Sequence, residues 1–319
     1  MRITRRQTLL GAAAALLPVP AMAAPEYRLD PRQVADGVWL IEGAQDSIAR
    51  TNGGAICNVV MLETDAGAVV VDTGGTLRHG AALREFADDR LGGVAAALNT
   101  HHHPDHWFGN GAFADRPIHA LPGTIAAQKA GAQALSDGLY RILGSWMQGT
   151  APLPATVTAG GELTIGGRGL TVMALSGHTA ADLALIDGQT GTLVAGDLLF
   201  LDRAPSFPDA DIAAWRAALS RLGAMPVTGT VPGHGPFHRD SRAVAQTLAY
   251  LDAFAARMEA ATHQGLTPVE ALAAGPMPAF ADMAANPAEY RRATVQQWRA
   301  FEISALPVIG GSTLQTTKN

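Results

Sequence analysis

The stretch NTHHHPDHWFGN, Asn99 to Asn110, holds four of the chain's ten histidines and sets an aspartate among them. Imidazole interleaved with carboxylate suits hard and borderline divalent metals, so metal binding is the chemistry on offer. His101 and His103 stand two apart after an expected strand, and in extended backbone their side chains project to the same side. Pro104 biases His103 away from helical geometry. Asp105 and His106 are consecutive where the chain turns, and they can aim at a different point nearby. The pattern H-x-H-x-D-H therefore offers two ligands to one metal and two to a second.

Each metal needs three or four protein ligands and an open position for water. The remaining candidates are His178 in LSGHTAAD, Asp197 in LVAGDLLF and His234 in VPGHGP. Each follows a strand-like run and sits beside glycine, where several loops could meet at strand ends. A glycine-flanked histidine or aspartate alone more often serves a turn. The ordered set of all four motifs favours a metal centre. No G-x-S-x-G nucleophile motif occurs, and Cys57 sits within GGAICNVVML, where a buried strand thiol is expected rather than a ligand or nucleophile.

The elements that must position these residues are legible from periodicity. GVWLIEG, AICNVVMLET and GAVVVDTGG read as strands separated by Gly, Asn or Asp turns. TLRHGAALREFADDRL has helical spacing of Leu77, Leu83, Phe86 and Leu91. GVAAALNT is the strand that enters the histidine cluster, and PIHALP is another. Residues 122–150 read as helix; their Tyr140 and Trp146 are candidates to line a groove over the metals, or simply pack this helical segment. Strands return in GELTIGGRGLTVMALSG, DLALIDGQTGTLVAGDLLF and TGTVPGHG, with a helix around Trp215. From about residue 240 the chain reads as helical and alanine-rich, ending in a frayed GGSTLQTTKN. Two halves, each with strands first and helices after, imply an α/β architecture of two packed sheets with helices outside. His79, His119 and His238 show no ligand pattern and are expected in surface or loop positions, while Trp107 and Phe108 are expected in the core.

The ends and the charge bound the compartment and the partners. Residues 1–23 carry Arg5-Arg6, an apolar run from Leu9 to Leu17 and an A-x-A-type site ending at Ala23. This reads as a secretory signal of the twin-arginine type, and it places the chain in the periplasm as one domain over 24–319. The run is shorter than the roughly 20 apolar residues a bilayer needs, so no stable membrane insertion is expected. The formal charge of −5, with no basic run, gives no electrostatic reason for nucleic-acid binding. With a single cysteine, no intrachain disulfide can form.

These motifs, with VVVDTGG upstream, resemble the metallo-β-lactamase-fold hydrolase superfamily. That resemblance implies a four-layer αβ/βα sandwich of two mixed β-sheets flanked by helices, with a dinuclear site along one edge. It implies that His101, His103 and His178 hold a first Zn2+, that Asp105, His106 and His234 hold a second, and that Asp197 bridges them together with a hydroxide. Iron or manganese would suit the same donors. Asp72 would orient a histidine ligand, or simply cap its turn. Two zinc ions offset by Asp105, Asp197 and hydroxide leave a charge of about +1 to hold an oxyanion during ester, thioester, lactone or amide hydrolysis. Asp105 could also take part in proton transfer. A bridging aspartate is more typical of glyoxalase II-like thioesterases and lactonases, whereas one large group of zinc β-lactamases has cysteine there.

Across nearly all of residues 24–319 the chain is also similar to the quinoprotein relay system zinc metallohydrolases. The likeness rests on GTIA, LYRILGSWMQGT, GHTAADL and GDLLFLDRAPSFPDADIAAW. It implies a link to a pyrroloquinoline-quinone (PQQ)-dependent dehydrogenase partner and little about the substrate, which is expected to be a small molecule. Two alternatives stay open from sequence: a β-lactamase, and a non-catalytic metal- or quinone-binding accessory protein of such a dehydrogenase.

Overall fold

A computed structural model describes residues 26–306; the expected export segment, residues 1–23, and the tail from Gly310 lie outside them. Among the described residues two mixed sheets lie face to face. The first runs in chain order through β1 (Pro31–Ala35), β2 (Val38–Ile41), β3 (Val59–Leu62), β4 (Ala68–Val71), β5 (Val94–Leu98), β6 (Ile118–Ala120) and β7 (Val157–Thr158). Pairing is antiparallel as far as β4 and parallel from β4 onward. The second comprises β8 (Gly161–Ile165), β9 (Arg168–Leu175), β10 (Asp182–Asp187), β11 (Thr192–Val194) and β12 (Gly229–Val231). Only β12, parallel to β11, departs from antiparallel pairing there.

The near-continuous apolar runs follow from burial on both faces of the central strands. Successive side chains alternate, so Val60, Leu62, Val69, Val71 and Leu98 face Leu170, Val172, Leu183, Leu185 and Val231 between the sheets. Their neighbours Val59, Met61 and Val70 face outward onto Leu83 and Ala87 of α1 (Leu77–Arg90). The short α2 (Pro104–Trp107) and α3 (Pro122–Leu143) follow β5 and β6. Behind the second sheet lie α4 (Ile212–Gly223), α5 (Arg242–His263), α6 (Pro268–Ala273) and α7 (Ala288–Ala305). Trp215, Tyr250, Phe254, Tyr290 and Trp298 from these helices form one cluster with Met173, Ala184 and Leu193 of the sheet.

Several expectations are corrected. His79 is buried within α1, and His238, in a loop as expected, is buried rather than superficial. His79 stacks on Tyr27, with ring centroids 4.6 Å apart, and burial lowers its pKa to about 4. His119 lies within β6, half-buried. Cys57 is buried but precedes β3; its thiol donates to the Asp105 carbonyl at 2.9 Å.

A buried ion pair ties the two sheets together. Arg168 at the start of β9 donates from Nε and Nη2 to both Asp187 carboxylate oxygens at 2.7 Å. Its Nη1 reaches the Glu63 carbonyl of the first sheet at 2.9 Å. Burial alone would raise the Asp187 pKa, but Arg168 and Thr190 hold the carboxyl below its ordinary value. The stabilisation is therefore present above the unfolded carboxyl's pKa of about 3.9 and lost as pH falls through the folded value. Asp187→Asn is expected to lower the unfolding free energy by about 3 kcal/mol at neutral pH in urea titrations. The gap to the parent should close as pH drops below about 4.

Candidate metal centre

The motif residues converge because their strands end at one edge. Asp72 follows β4, the histidine cluster follows β5, and His178, Asp197 and His234 follow β9, β11 and β12. Backbone bonds lock these ends to one another. Leu183 N donates to Thr100 O at 2.7 Å across the sheets, and Gly233 N donates to Gly196 O at 2.7 Å. Gly233 has no substitute, since an added Cβ would overlap Asp197 Oδ1. Gly196 sits at φ 53° against Thr100, where a side chain would be strained as well as crowded.

His103 is extended, at φ −71° and ψ 142°, and Pro104 opens α2 directly after it. That break separates the ligands into two groups. His101, His103, His178 and Asp197 offer ligand atoms within 4.8 Å of one another, and so do Asp105, His106 and His234. Asp197 lies between them. Its Oδ2 is 3.2 Å from His178 Nε2 and 3.3 Å from His234 Nε2, and its Oδ1 is 3.2 Å from His106 Nε2. His103 Nδ1 and His178 Nε2 are 2.8 Å apart, and Asp105 Oδ2 is 3.5 and 3.6 Å from His106 and His234 Nε2. Ligands of a tetrahedral zinc stand about 3.3 Å apart, which the spacings of 3.2 to 3.6 Å match, while the 2.8 Å between His103 and His178 is a hydrogen-bond distance.

The far nitrogen of four of the five imidazoles is anchored, which fixes which nitrogen faces inward. Asp72 Oδ2 accepts from His106 Nδ1 at 2.7 Å and from the Thr100 hydroxyl at 2.8 Å. With its proton spent on Asp72, Thr100 Oγ1 accepts from His101 Nδ1 at 3.0 Å. His234 Nδ1 donates to the Ile56 carbonyl at 2.8 Å, and His103 Nε2 donates to Asp209 at 3.0 Å. His178 is held instead by packing, edge-on to Trp215 at 5.2 Å, in a turn that Thr179 and Asp182 brace. Burial pushes the Asp182 carboxyl up to about 7.

Three of the inward atoms lack protein partners. His101 Nε2, His106 Nε2 and Asp197 Oδ1 are buried without a hydrogen bond among the described residues. Burial drives His101 and His178 well below the ordinary imidazole pKa, toward the neutral form that binds metal. Burial would lower His106 too, but Asp197, Asp105 and Asp72 raise it. Asp197, which burial would raise, is held well below the carboxylate range by His234, His106, His178 and His101. A buried group of this composition, with its inner atoms unsatisfied, fits a pair of cations.

A cavity opens over the cluster, lined by Asp105, His103, Asp197 and His234 and, from α3, by Leu135 and Ile142. The groove positions expected for Tyr140 and Trp146 are therefore corrected. Tyr140 is 45% exposed and does not line the cavity, and Trp146 packs on Tyr27 and donates to Arg50 O. Leu135 and Ile142, seven residues apart on α3, present the same helical face. Trp107 and Phe108 are fully buried beneath the cluster.

Sequence reasoning missed the supports. Asn99 and Asn110, which bracket the histidine stretch, are fully buried and pair amide to amide at 2.8 and 3.0 Å. Asn58 donates to the Pro232 and Gly235 carbonyls on either side of His234, both at 2.8 Å. Asp209 holds His102 as well as His103, at 3.2 Å, and the two imidazoles lower its pKa. Asparagine beside glycine reads as turn chemistry, so only a bracketing position hinted at the first pair.

Residues 52–234 match the model of the metallo-beta-lactamase superfamily, and the chain belongs to that superfamily. Among solved structures it is similar to a metallo-beta-lactamase from Pontibacter korlensis, with TM-score 0.57 and 24% identity over 70% of this chain and 99% of that one. It is likewise similar to the metallo-beta-lactamase FIM-1 from Pseudomonas aeruginosa, solved in a mono-zinc form, at 0.56 and 18% over 72% and 98%. A metallo-beta-lactamase from Hirschia baltica gives 0.55 and 20% over 70% and 98%. At these identities the likeness is one of fold. No protein of curated function matches the chain.

Two substitutions separate the supports from the ligands. Asp72→Asn, which keeps shape but offers an amide to His106, is expected to weaken metal binding by about 10- to 100-fold in chelator competition. Asp209→Ala should weaken only the site containing His103, so that one equivalent is lost at a lower chelator concentration than the other.

Proposed function

We propose that this chain is an exported, dinuclear zinc hydrolase of the periplasm. It cleaves an ester, thioester, lactone or amide bond in a small molecule and serves a PQQ-dependent dehydrogenase. The observation that carries the hydrolase reading is Asp197, whose carboxylate touches both ligand groups while the inward nitrogens of His101 and His106 stay unpartnered. Superfamily membership supports the reaction class. The paired arginines and apolar run of residues 1–23 support export, and the motifs shared with quinoprotein relay metallohydrolases support the dehydrogenase link. Among the described residues no helix is long and apolar enough to cross a membrane.

Two cations bound there would bring the pKa of a water to roughly 7 and polarise a substrate carbonyl. The protein's own part is to hold and shield. Asp72, Thr100, Asp209 and Ile56 O fix the imidazoles, so little reorganisation accompanies the reaction. Asp105 is 6% exposed and lines the cavity, where its carboxylate can take the proton released as water attacks and pass it to the leaving group. Ile48, Ile56, Leu135 and Ile142 give the substrate an apolar wall. Aspartate at position 197, where many zinc β-lactamases carry cysteine, favours thioester or lactone substrates over lactams.

The test is metal analysis by mass spectrometry on protein purified from its native compartment, with thioester, lactone and β-lactam panels on the same sample. Near two zinc per chain is expected, with thioester or lactone turnover falling to background in His106→Ala. Two zinc without turnover, in protein that co-purifies with a dehydrogenase, would replace this reading by an accessory role. Preferred lactam turnover would make the chain a β-lactamase, and a single iron would refute the second site.

A further inference from the structure

Asp209 holds the first ligand group from an exposed crest. Its Oδ2 accepts from His103 Nε2 at 3.0 Å and stands 3.2 Å from His102 Nε2, yet its side chain is 49% exposed. An exposed carboxylate gains little from such contacts unless it is already held in place, because water screens the pair and ordering the side chain costs entropy. Among the described residues the Asp209 carboxylate has no partner besides those two imidazoles. Its position is therefore set by the main chain of residues 202–211, which brings Arg203, Ser206, Pro208 and Asp209 to the cavity rim.

That segment is fastened at both ends and in the middle. Ala284 N donates to Asp202 O at 2.9 Å, and Ala204 N donates to Ala284 O at 3.0 Å. At the other end Asp211 N donates to the Gly177 carbonyl, beside His178, at 2.9 Å. Between them Phe207 is fully buried in the aromatic cluster, its ring centroid 4.8 Å from that of Phe254 and 5.6 Å from that of Trp215. The turn from Phe207 to Ala210, which carries Asp209, has only a long backbone bond of its own, Ala210 N to Phe207 O at 3.4 Å. Gln297 of α7 closes it, since Nε2 donates to Phe207 O at 3.0 Å and to Ala210 O at 3.2 Å. One amide thus directs both of its protons to the carbonyls that flank Pro208 and Asp209. Gln297 can reach them because it shares a face of α7 with Tyr290, Ala293 and Thr294, all of which are buried.

We propose that Gln297 is a positioning residue for the first ligand group, acting through Asp209 on His103. The helix that carries it lies beyond the matched residues 52–234, so a metal ligand after β5 is steadied from the far end of the chain. When the turn loosens, Asp209 leaves His103, and the ring can rotate away from the orientation in which Nδ1 faces His178. The second group has no such link, since Asp72 anchors His106 and the Ile56 carbonyl anchors His234. The effect is therefore confined to one of the two sites. This inference rests on the metal-binding part of the reading above and not on the reaction.

The test uses the full chain, zinc as the probe and a fluorescent chelator as the competitor. Gln297→Met keeps the length of the side chain but has no N–H. It is expected to weaken one zinc equivalent about tenfold, the low end for loss of an outer partner, while the other holds. In a chain that also carries His106→Ala, where the second group is incomplete, the weakened equivalent should be the one that remains. A double-mutant cycle separates positioning from general support of the fold. Once Asp209→Ala is present, Gln297→Met should change zinc affinity by less than about twofold. A reading without metal comes from the ring nitrogen shifts of His103 in zinc-free protein, measured by NMR with labelled histidine. The parent should show the Nε2–H tautomer, and Asp209→Ala and Gln297→Met should each turn it into a mixture with Nδ1–H. The proposal is overturned if a chain that binds two zinc ions keeps both affinities in Gln297→Met, loses both alike, or loses as much without Asp209 as with it. Uptake of fewer than two zinc ions by the parent would refute the dinuclear reading. The tautomer then decides, and the proposal falls if Gln297→Met leaves His103 as the parent has it.

Discussion

The metal cluster depends on one carboxylate held where the backbone resists it. Asp72 has φ 63°, a left-handed conformation that costs a non-glycine residue roughly 1 kcal/mol or more. It is kept there from both ends. Its N–H extends the β4–β5 ladder by donating to Leu98 O at 2.8 Å, and its side chain accepts from Thr100 N, Thr100 Oγ1 and His106 Nδ1. Because a carboxylate only accepts, both neighbours are obliged to donate. That obligation turns Nε2 of His106 inward directly, and Nε2 of His101 inward through Thr100. One residue therefore sets the tautomer in each of the two ligand groups.

Stiffness around that residue comes from strand ends and buried amides. Five strands from two sheets deliver their C-terminal residues to the same edge, and bonds between those ends span the gap between the sheets. Below them Thr73, Asn99, Asn110 and Gln128 form a closed amide and hydroxyl network, all fully buried. Such a network is favourable only when every member is satisfied, so it specifies one arrangement of the histidine loop above it. The cluster itself is the opposite case, with several inner atoms left without protein partners. The fold thus leaves His101 Nε2, His106 Nε2 and Asp197 Oδ1 unsatisfied at the point where a cation can satisfy them.

The sequence made the fold class and the ligand positions legible for a physical reason. Short, near-continuous apolar runs and the interleaving of imidazole with carboxylate are local signals, and β3, β4, β10 and the His101–His106 stretch carry them undiluted. What stayed hidden was long-range. Asp209 meets His103 across 106 residues, and Asn58 meets Gly235 across 177. Nothing in PDAD or CNVV distinguishes such anchors from ordinary turn or strand residues. The misplacement of Tyr140 and Trp146 has the same origin. The sequence left both residues open between groove and packing, whereas the rotation of α3 turns Leu135 and Ile142 to the cavity, and that rotation is set by packing of Leu139 and Leu143 on Trp107 and Met147.

The cavity over the ligand cluster draws its lining from two parts of the chain. The ligand cluster arises from the strand ends within residues 52–234, the part matched by the superfamily. Glu289 and Arg292 arise from α7, which is placed by Tyr290 and Trp298 packing into the aromatic cluster behind the second sheet. Arg203 joins the two parts, since it follows the turn that carries Asp197 and is clasped by Glu289. A change at Glu289 or Arg292 of α7 can therefore alter the charge and shape of the cavity without moving any inward nitrogen. In this architecture the ligand cluster belongs to the sheet edge, and the charged lining of Glu289 and Arg292 belongs to the helix laid across it.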